Sequence, residues 1–181
     1  MNVYISGGCK NGKSDFAQAA AIKLANGGKR YYVATMVPQD AEDRARVRRH
    51  QTSRAGMGFE TLEAGQNLLS CLNAADSNAV FLLDSVTALL QNEMFPPKSQ
   101  VPAGPGAPQR CLDSLLAFAG TVRDALFVSD FIYSDAFRYD AYTEAYRRAL
   151  AMLDRALAEI CDTVIELCAG IPIVYKGRAL Q

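Results

Sequence analysis

The chain has 181 residues, half of them apolar and 21% charged, which predicts one globular domain with enough sequence to bury a sizeable core. Lys+Arg and Asp+Glu both number 19, so no overall basic field points to nucleic acid or to an anionic membrane surface. No run approaches the roughly 20 apolar residues of a membrane span, and five cysteines without a CxxC pair, after an opening "NVYIS" that carries no leader, suit free thiols in a reducing cytoplasm.

Short apolar runs alternate with longer stretches of helical period, which predicts an α/β fold with a mostly parallel sheet and helices on both faces. The first run, residues 2–6, is a predicted strand. It leads straight into "GGCKNGKS" (7–14), which fits G-x-x-x-x-G-K-[ST] with Gly7, Gly12, Lys13 and Ser14 and opens a helix predicted over 14–25. Gly7, Gly8 and Gly12 let the backbone N–H groups of the loop, through Cys9, Lys10 and Asn11, turn inward as a nest for phosphate oxygens. The helix adds its positive N-terminal end. Lys13 suits the β- and γ-phosphates of a nucleotide, and the Ser14 hydroxyl suits Mg2+. A chance glycine-rich turn would explain neither the strand before it nor the helix after it. Cys9 contributes its backbone rather than its sulfur.

A second strand is predicted at "RYYVAT" (30–35), then a helix over 40–53 with an acidic first turn after Pro38. This helix carries the single histidine, His50, among Arg44, Arg46, Arg48, Arg49 and Arg54. At helical spacing Arg46 and Val47 lie one turn before His50 and Arg54 one turn after it. Cations stacked in this way repel one another unless an anion lies alongside, and Arg is suited to bidentate phosphate contacts. Neighbouring cations also favour the neutral, nucleophilic form of an imidazole, and histidine nucleophiles occur in covalent catalysis. The alternative is a solvated basic face with an incidental histidine.

Further helices are predicted over 65–74 and 85–94, with the strand "AVFLLD" (79–84) between them. Asp84 ends this strand, where a P-loop protein places the acid that holds Mg2+ or its water shell; a strand-end Asp can also serve turn chemistry alone. Residues 96–110, "PPKSQVPAGPGAPQR", hold five of the seven prolines and read as a surface loop within one nucleotide-binding domain spanning 1–181. Beyond it come a helix over 111–123, the strand "ALFVSD" (125–130), a helix over 139–161 and the strand "TVIELC" (163–168). The last run, "IPIVYK" (171–176), contains Pro172 and suits a sheet edge.

The order and spacing of "GGCKNGKS", "YVAT" (32–35), "DAEDRARVRRH" (40–50), "FETLE" (59–63), "VFLLD" (80–84) and "CDTVIELCAGIPIVYKG" (161–177) resemble the adenosylcobinamide kinase/adenosylcobinamide-phosphate guanylyltransferase family of cobalamin biosynthesis. The resemblance implies two reactions on a corrinoid partner, with ATP and GTP as substrates and Mg2+ as cofactor. It implies that His50 takes GMP from GTP as a phosphoramidate. It also implies that the nucleotide is held by the phosphate loop, Ala34, Thr35, Met36, the residues Gln51, Thr52, Ser53 and Arg54, then Glu63 and Asp84; the helical stripe beside His50 adds Arg46 to the nucleotide-binding residues. Without the resemblance Glu63 reads as a solvated loop carboxylate. A cytoplasmic homo-oligomer, such as the trimer known in the family, is implied as well. The chain departs from the family where "NEVGxGIVP" is replaced by "SDFIYSDAF" (129–137) and "FRDxxGxxNQ" by "YRRALAMLDR" (146–155). Those departures keep two other readings open: a P-loop kinase of another small molecule, and a non-catalytic nucleotide-binding member of the family.

Overall fold

The computed structural model describes residues 1–179 apart from 98, 100 and 135. In chain order the elements are β1 (Asn2–Gly7), α1 (Lys13–Ala25), β2 (Arg30–Ala34), α2 (Ala41–Arg54), β3 (Glu60–Glu63), a 3-10 segment (Leu68–Ala74), β4 (Val80–Asp84), α3 (Val86–Met94), α4 (Ala107–Thr121), β5 (Asp124–Val128), α5 (Ala141–Ile160), β6 (Thr163–Cys168) and β7 (Ile171–Lys176). The strands form one seven-stranded sheet in the order β3-β2-β4-β5-β1-β6-β7. Every neighbouring pair is parallel except β6 with β7.

The two-residue period of the strands sorts their side chains into two cores. Val3, Ile5, Tyr32, Val80, Leu82, Leu126 and Val128 face the small residues Ala17, Ala20 and Ala21 of α1. The alternate set, Tyr4, Tyr31, Val33, Phe81, Leu83 and Phe127, faces α3, α4 and α5 through Leu89, Leu115, Phe118, Leu150 and Leu153. The central strands are buried on both faces, which is why they read as unbroken apolar runs. Helix α2 enters neither core, and Arg54 is its single buried residue. Pro172 stands in β7, at the sheet edge where no ladder partner needs its missing N–H.

Three elements differ from the sequence reading. Residues 60–63, "ETLE", form the edge strand β3; only Leu62 reaches the core, so the alternation is too short to announce itself. The helix expected over 65–74 is a 3-10 segment beginning at Leu68, after Asn67 takes the left-handed conformation (φ 52°). The last part of the loop expected at 96–110 is already helix: α4 begins at Ala107 with Pro108 in its first turn, where a helix needs no N–H. Of that loop, residues 98 and 100 lie outside the described residues, as does Asp135 of the 129–137 segment.

Candidate active site

Parallel pairing aligns the C-terminal ends of the strands, and ligands of such sheets bind outside that edge. Ala34 pairs with Asp84, Asp84 with Val128, and Val128 with Ile5, so the segments that follow β2, β4, β5 and β1 leave the sheet side by side. A cleft of ≈ 620 Å³ opens there. Its floor is the phosphate loop and its far wall is α2.

The loop is shaped by backbone approach at two glycines. Gly7 has φ 153°, and a Cβ on it would sit 2.6 Å from the Leu167 carbonyl oxygen of β6. Gly12 takes φ 80° as the N-cap of α1. Asn11 donates its amide to the same Leu167 carbonyl at 3.2 Å, tying the loop to β6. Cys9 to Ser14 line the cleft, and Gly7 and Gly8 do not.

Lys13 is buried rather than solvent-facing. Its Nζ donates to the Gly8 carbonyl at 2.7 Å and pairs with Asp130 at 2.8 Å. Asp130 is itself held in place. Ser129 N–H donates to the Ile5 carbonyl, Phe131 N–H donates to the Gly7 carbonyl, and Asp130 N–H donates to the Thr87 hydroxyl at 2.8 Å. The segment after β5 is thereby laced to the strand that carries the phosphate loop. The sequence offered Asp130 only as a departure from the family pattern; the ion pair with Lys13 makes it a candidate site residue.

Asp84 lines the cleft and accepts the Tyr32 hydroxyl at 2.9 Å. Burial, and then the nearby Asp84 carboxylate, push the Tyr32 phenol far above its ordinary range, so it remains a donor. Thr35 is buried away from the cleft. Its hydroxyl donates to the Ser85 carbonyl at 2.8 Å and accepts from the Ser85 N–H at 2.7 Å, locking β2 to the turn after β4. Buried Asn92 donates to the carbonyls of Thr35 and Gly65, fixing the same corner from α3. Ala34, Met36 and Glu63 line the cleft.

Helix α2 starts at Asp40, whose carboxylate accepts the Asp43 N–H at 2.8 Å, and ends with Arg54. The Arg54 guanidinium lies 3.5 Å over the Tyr32 ring and donates to the Thr61 hydroxyl. That contact orients the helix. Arg46, Val47, Arg49, His50, Gln51 and Arg54 face the cleft, opposite the phosphate loop. Arg48, Thr52 and Ser53 face a shallow hollow on the outer side of the helix, which Arg49 borders as well, and Arg44 lines neither. The basic cluster is therefore split, with Arg46, Arg49 and Arg54 beside His50. The imidazole is half-exposed and makes no hydrogen bond among the described residues, leaving it free to meet a ligand.

Mg2+ bound with a nucleotide takes few protein ligands and fills its octahedron with phosphate oxygens and water. Ser14 and Asp84 both line the cleft, and Asp84 gives one oxygen to Tyr32 while keeping the other. This donor set fits such an ion. No group of three or more His, Cys, Asp or Glu ligands is assembled among the described residues, and none of their helices is long and apolar enough to cross a membrane.

The family described as cobinamide kinase / cobinamide phosphate guanyltransferase matches residues 3–175. The bifunctional adenosylcobalamin biosynthesis protein CobP of Pseudomonas aeruginosa is 27% identical over 181 residues, covering 99% of this chain and 100% of that protein. The bifunctional adenosylcobalamin biosynthesis protein CobU of Escherichia coli is 31% identical over 96 residues, 52% of this chain and 51% of that one. Among solved structures, an ATPase of a bacterial type III secretion system superposes with a TM-score of 0.53 at 13% identity over 92% of this chain, which spans 51% of that ATPase. A protein of Pyrococcus horikoshii superposes with a TM-score of 0.51 at 10% identity, covering 98% of this chain and 87% of its own. These likenesses show the fold alone, one shared with that ATPase.

Proposed function

Since the chain belongs to the cobinamide kinase / cobinamide phosphate guanyltransferase family, we propose that it performs both of the reactions in that description, with His50 as the residue that carries GMP. The observation that supports this most directly is the shared cleft: the phosphate loop and the His50–arginine stripe of α2 face one another across it.

In the kinase reaction the hydroxyl of adenosylcobinamide attacks the γ-phosphorus of a nucleoside triphosphate, and the bond to the β-phosphate oxygen breaks. Lys13 and the loop amides stabilise charge on the phosphate oxygens. When Lys13 turns to those oxygens, Asp130 is released beside the reacting phosphate, positioned to accept the hydroxyl proton. In the second reaction an imidazole nitrogen of His50 attacks the α-phosphorus of GTP and pyrophosphate leaves, assisted by Arg46 and Arg54. A phosphate oxygen of adenosylcobinamide phosphate then attacks that phosphorus, the P–N bond breaks, and adenosylcobinamide-GDP departs with the imidazole restored. Mg2+, held by Ser14 and Asp84, would neutralise phosphate charge in both reactions.

Mass spectrometry of the protein incubated with GTP and Mg2+ tests the central step. An adduct of GMP, labile in acid and stable in alkali, is expected on wild type and not on His50→Ala. Adduct on the alanine variant, or none on wild type under conditions where GTP binds, would remove His50 from the mechanism. A second reading, a kinase of a different acceptor, draws on the aromatic segment beyond Asp130, where Phe137 is 68% exposed. Phosphorylation of some other small alcohol in preference to adenosylcobinamide would favour it.

A further inference from the structure

Buried polar atoms without partners gather next to the phosphate end of the cleft. Asp154, on the inner side of α5, is 3% exposed, and neither of its carboxyl oxygens has a partner at hydrogen-bonding geometry. The Tyr4 hydroxyl of β1 and the Ser129 hydroxyl just past β5 are buried and unpartnered in the same way. The hydroxyls of Ser129 and Tyr4, and that of Tyr133 from the segment beyond β5, lie close enough to the Asp154 carboxyl to bias its protonation. Asp130 and Tyr146 stand close enough to feel its charge. Ser129 and Tyr133 bracket Asp130, the partner of Lys13.

We infer that Asp154 is a positioning residue for phosphate binding, holding Ser129 and Tyr133, and with them the Asp130 they flank, in the arrangement from which Lys13 turns to an incoming phosphate. The inference rests on the reading of Lys13 as the residue that receives the nucleotide's phosphates. A neutral Asp154 can donate its proton to one neighbour and accept from the hydroxyls of the others, which satisfies the orphaned set. An ionised Asp154 offers no proton and repels the Asp130 carboxylate. Burial raises its carboxyl pKa to about 6, opposed by the hydroxyls of Ser129, Tyr4 and Tyr133 and reinforced by Asp130. As the pH passes through that region, a second negative charge appears behind Lys13. It loosens the bracket around Asp130 and disfavours an incoming polyphosphate.

Calorimetric affinity for ATP with saturating Mg2+, measured from pH 5.5 to 8 on the full chain, tests this. The wild-type affinity should fall by about tenfold more than that of Asp154→Asn over the interval, a difference of the size expected for one nearby charge. Tyr133→Phe removes a hydroxyl that favours the ionised form, so it should move the wild-type midpoint to higher pH. Parallel profiles for wild type and Asp154→Asn would overturn the inference. The Lys13 ammonium resonance, followed by NMR in protein alone, supplies a readout that needs no nucleotide. It should shift with pH in wild type and not in Asp154→Asn; identical behaviour in both would likewise overturn the inference. Failure of ATP to bind at any pH, with the lysine signal still coupled to Asp154, would count against the nucleotide reading and for the role of Asp154.

Discussion

Lys13 already has two partners within the chain, Gly8 and Asp130, so its removal does more than delete a phosphate contact. Lys13→Ala should abolish ATP and GTP binding in calorimetry. It should also lower stability in urea by about 1–3 kcal/mol, a cost moderated by the partial exposure of the orphaned Asp130. Unchanged affinity would sink the phosphate-loop assignment. Asp154 acts in the opposite sense. Its carboxyl rises from an ordinary 3.8 to about 6 through burial, so between those values the folded chain keeps a proton that the unfolded chain has lost. Stability contributed by this group therefore falls as pH rises through that window, by on the order of 3 kcal/mol once it is ionised. Asp154→Asn should grow progressively more stable than wild type from pH 4 to pH 7 in denaturant titrations and then hold its advantage. No widening of that gap would show that the group titrates normally. The two residues also mark the limit of reading by sequence. Lys13 and Asp84 are legible as candidates because a motif and a strand end mark them locally, although their partners Asp130 and Tyr32 come from other segments. Asp154 is one polar residue on a helix whose partners come from β1 and from the segment after β5, and no local pattern records that meeting.

Helix α2 was legible as an element because its signals are all local: Asp40 at the cap, acids in the first turn, and no residue that breaks the helix. Helical spacing already puts Arg46 and Arg54 on the stripe of His50; what the sequence could not assign was the direction in which that stripe faces, since nearly every position is polar and no apolar stripe sets the helix's orientation. The packing of Arg54 on Tyr32 sets it. Arg54→Ala should therefore slow formation of the GMP adduct by at least about tenfold, whereas Arg44→Ala, outside the cleft, should leave it unchanged. Equal effects of the two substitutions would mean that α2 contributes only diffuse charge. Strand β3 escaped notice for a related reason: with one inward side chain, Leu62, it relies on β2 for its pairing and carries almost no pattern of its own.

At the scale of the whole molecule, the described residues contain one phosphate-loop motif, and under the proposed function it serves both reactions. A non-hydrolysable ATP analogue should thus inhibit GMP loading of His50 competitively with GTP. Non-competitive inhibition would require a second nucleotide site and would separate the two chemistries in space. The sheet order was not legible, because the neighbours of β1 come from distant segments, β5 and β6, and only their apolar character shows in sequence. That topology has a consequence for how the protein is made. The phosphate loop leaves the ribosome well before the Leu167 carbonyl that backs Gly7 and Asn11, which lies 156 residues beyond Asn11. A nascent chain stalled before β6 holds the complete motif without the wall that shapes it. Nucleotide capture therefore waits for β6, and a stalled chain ending at residue 160 should gain no protease protection from GTP, while one released after residue 177 should.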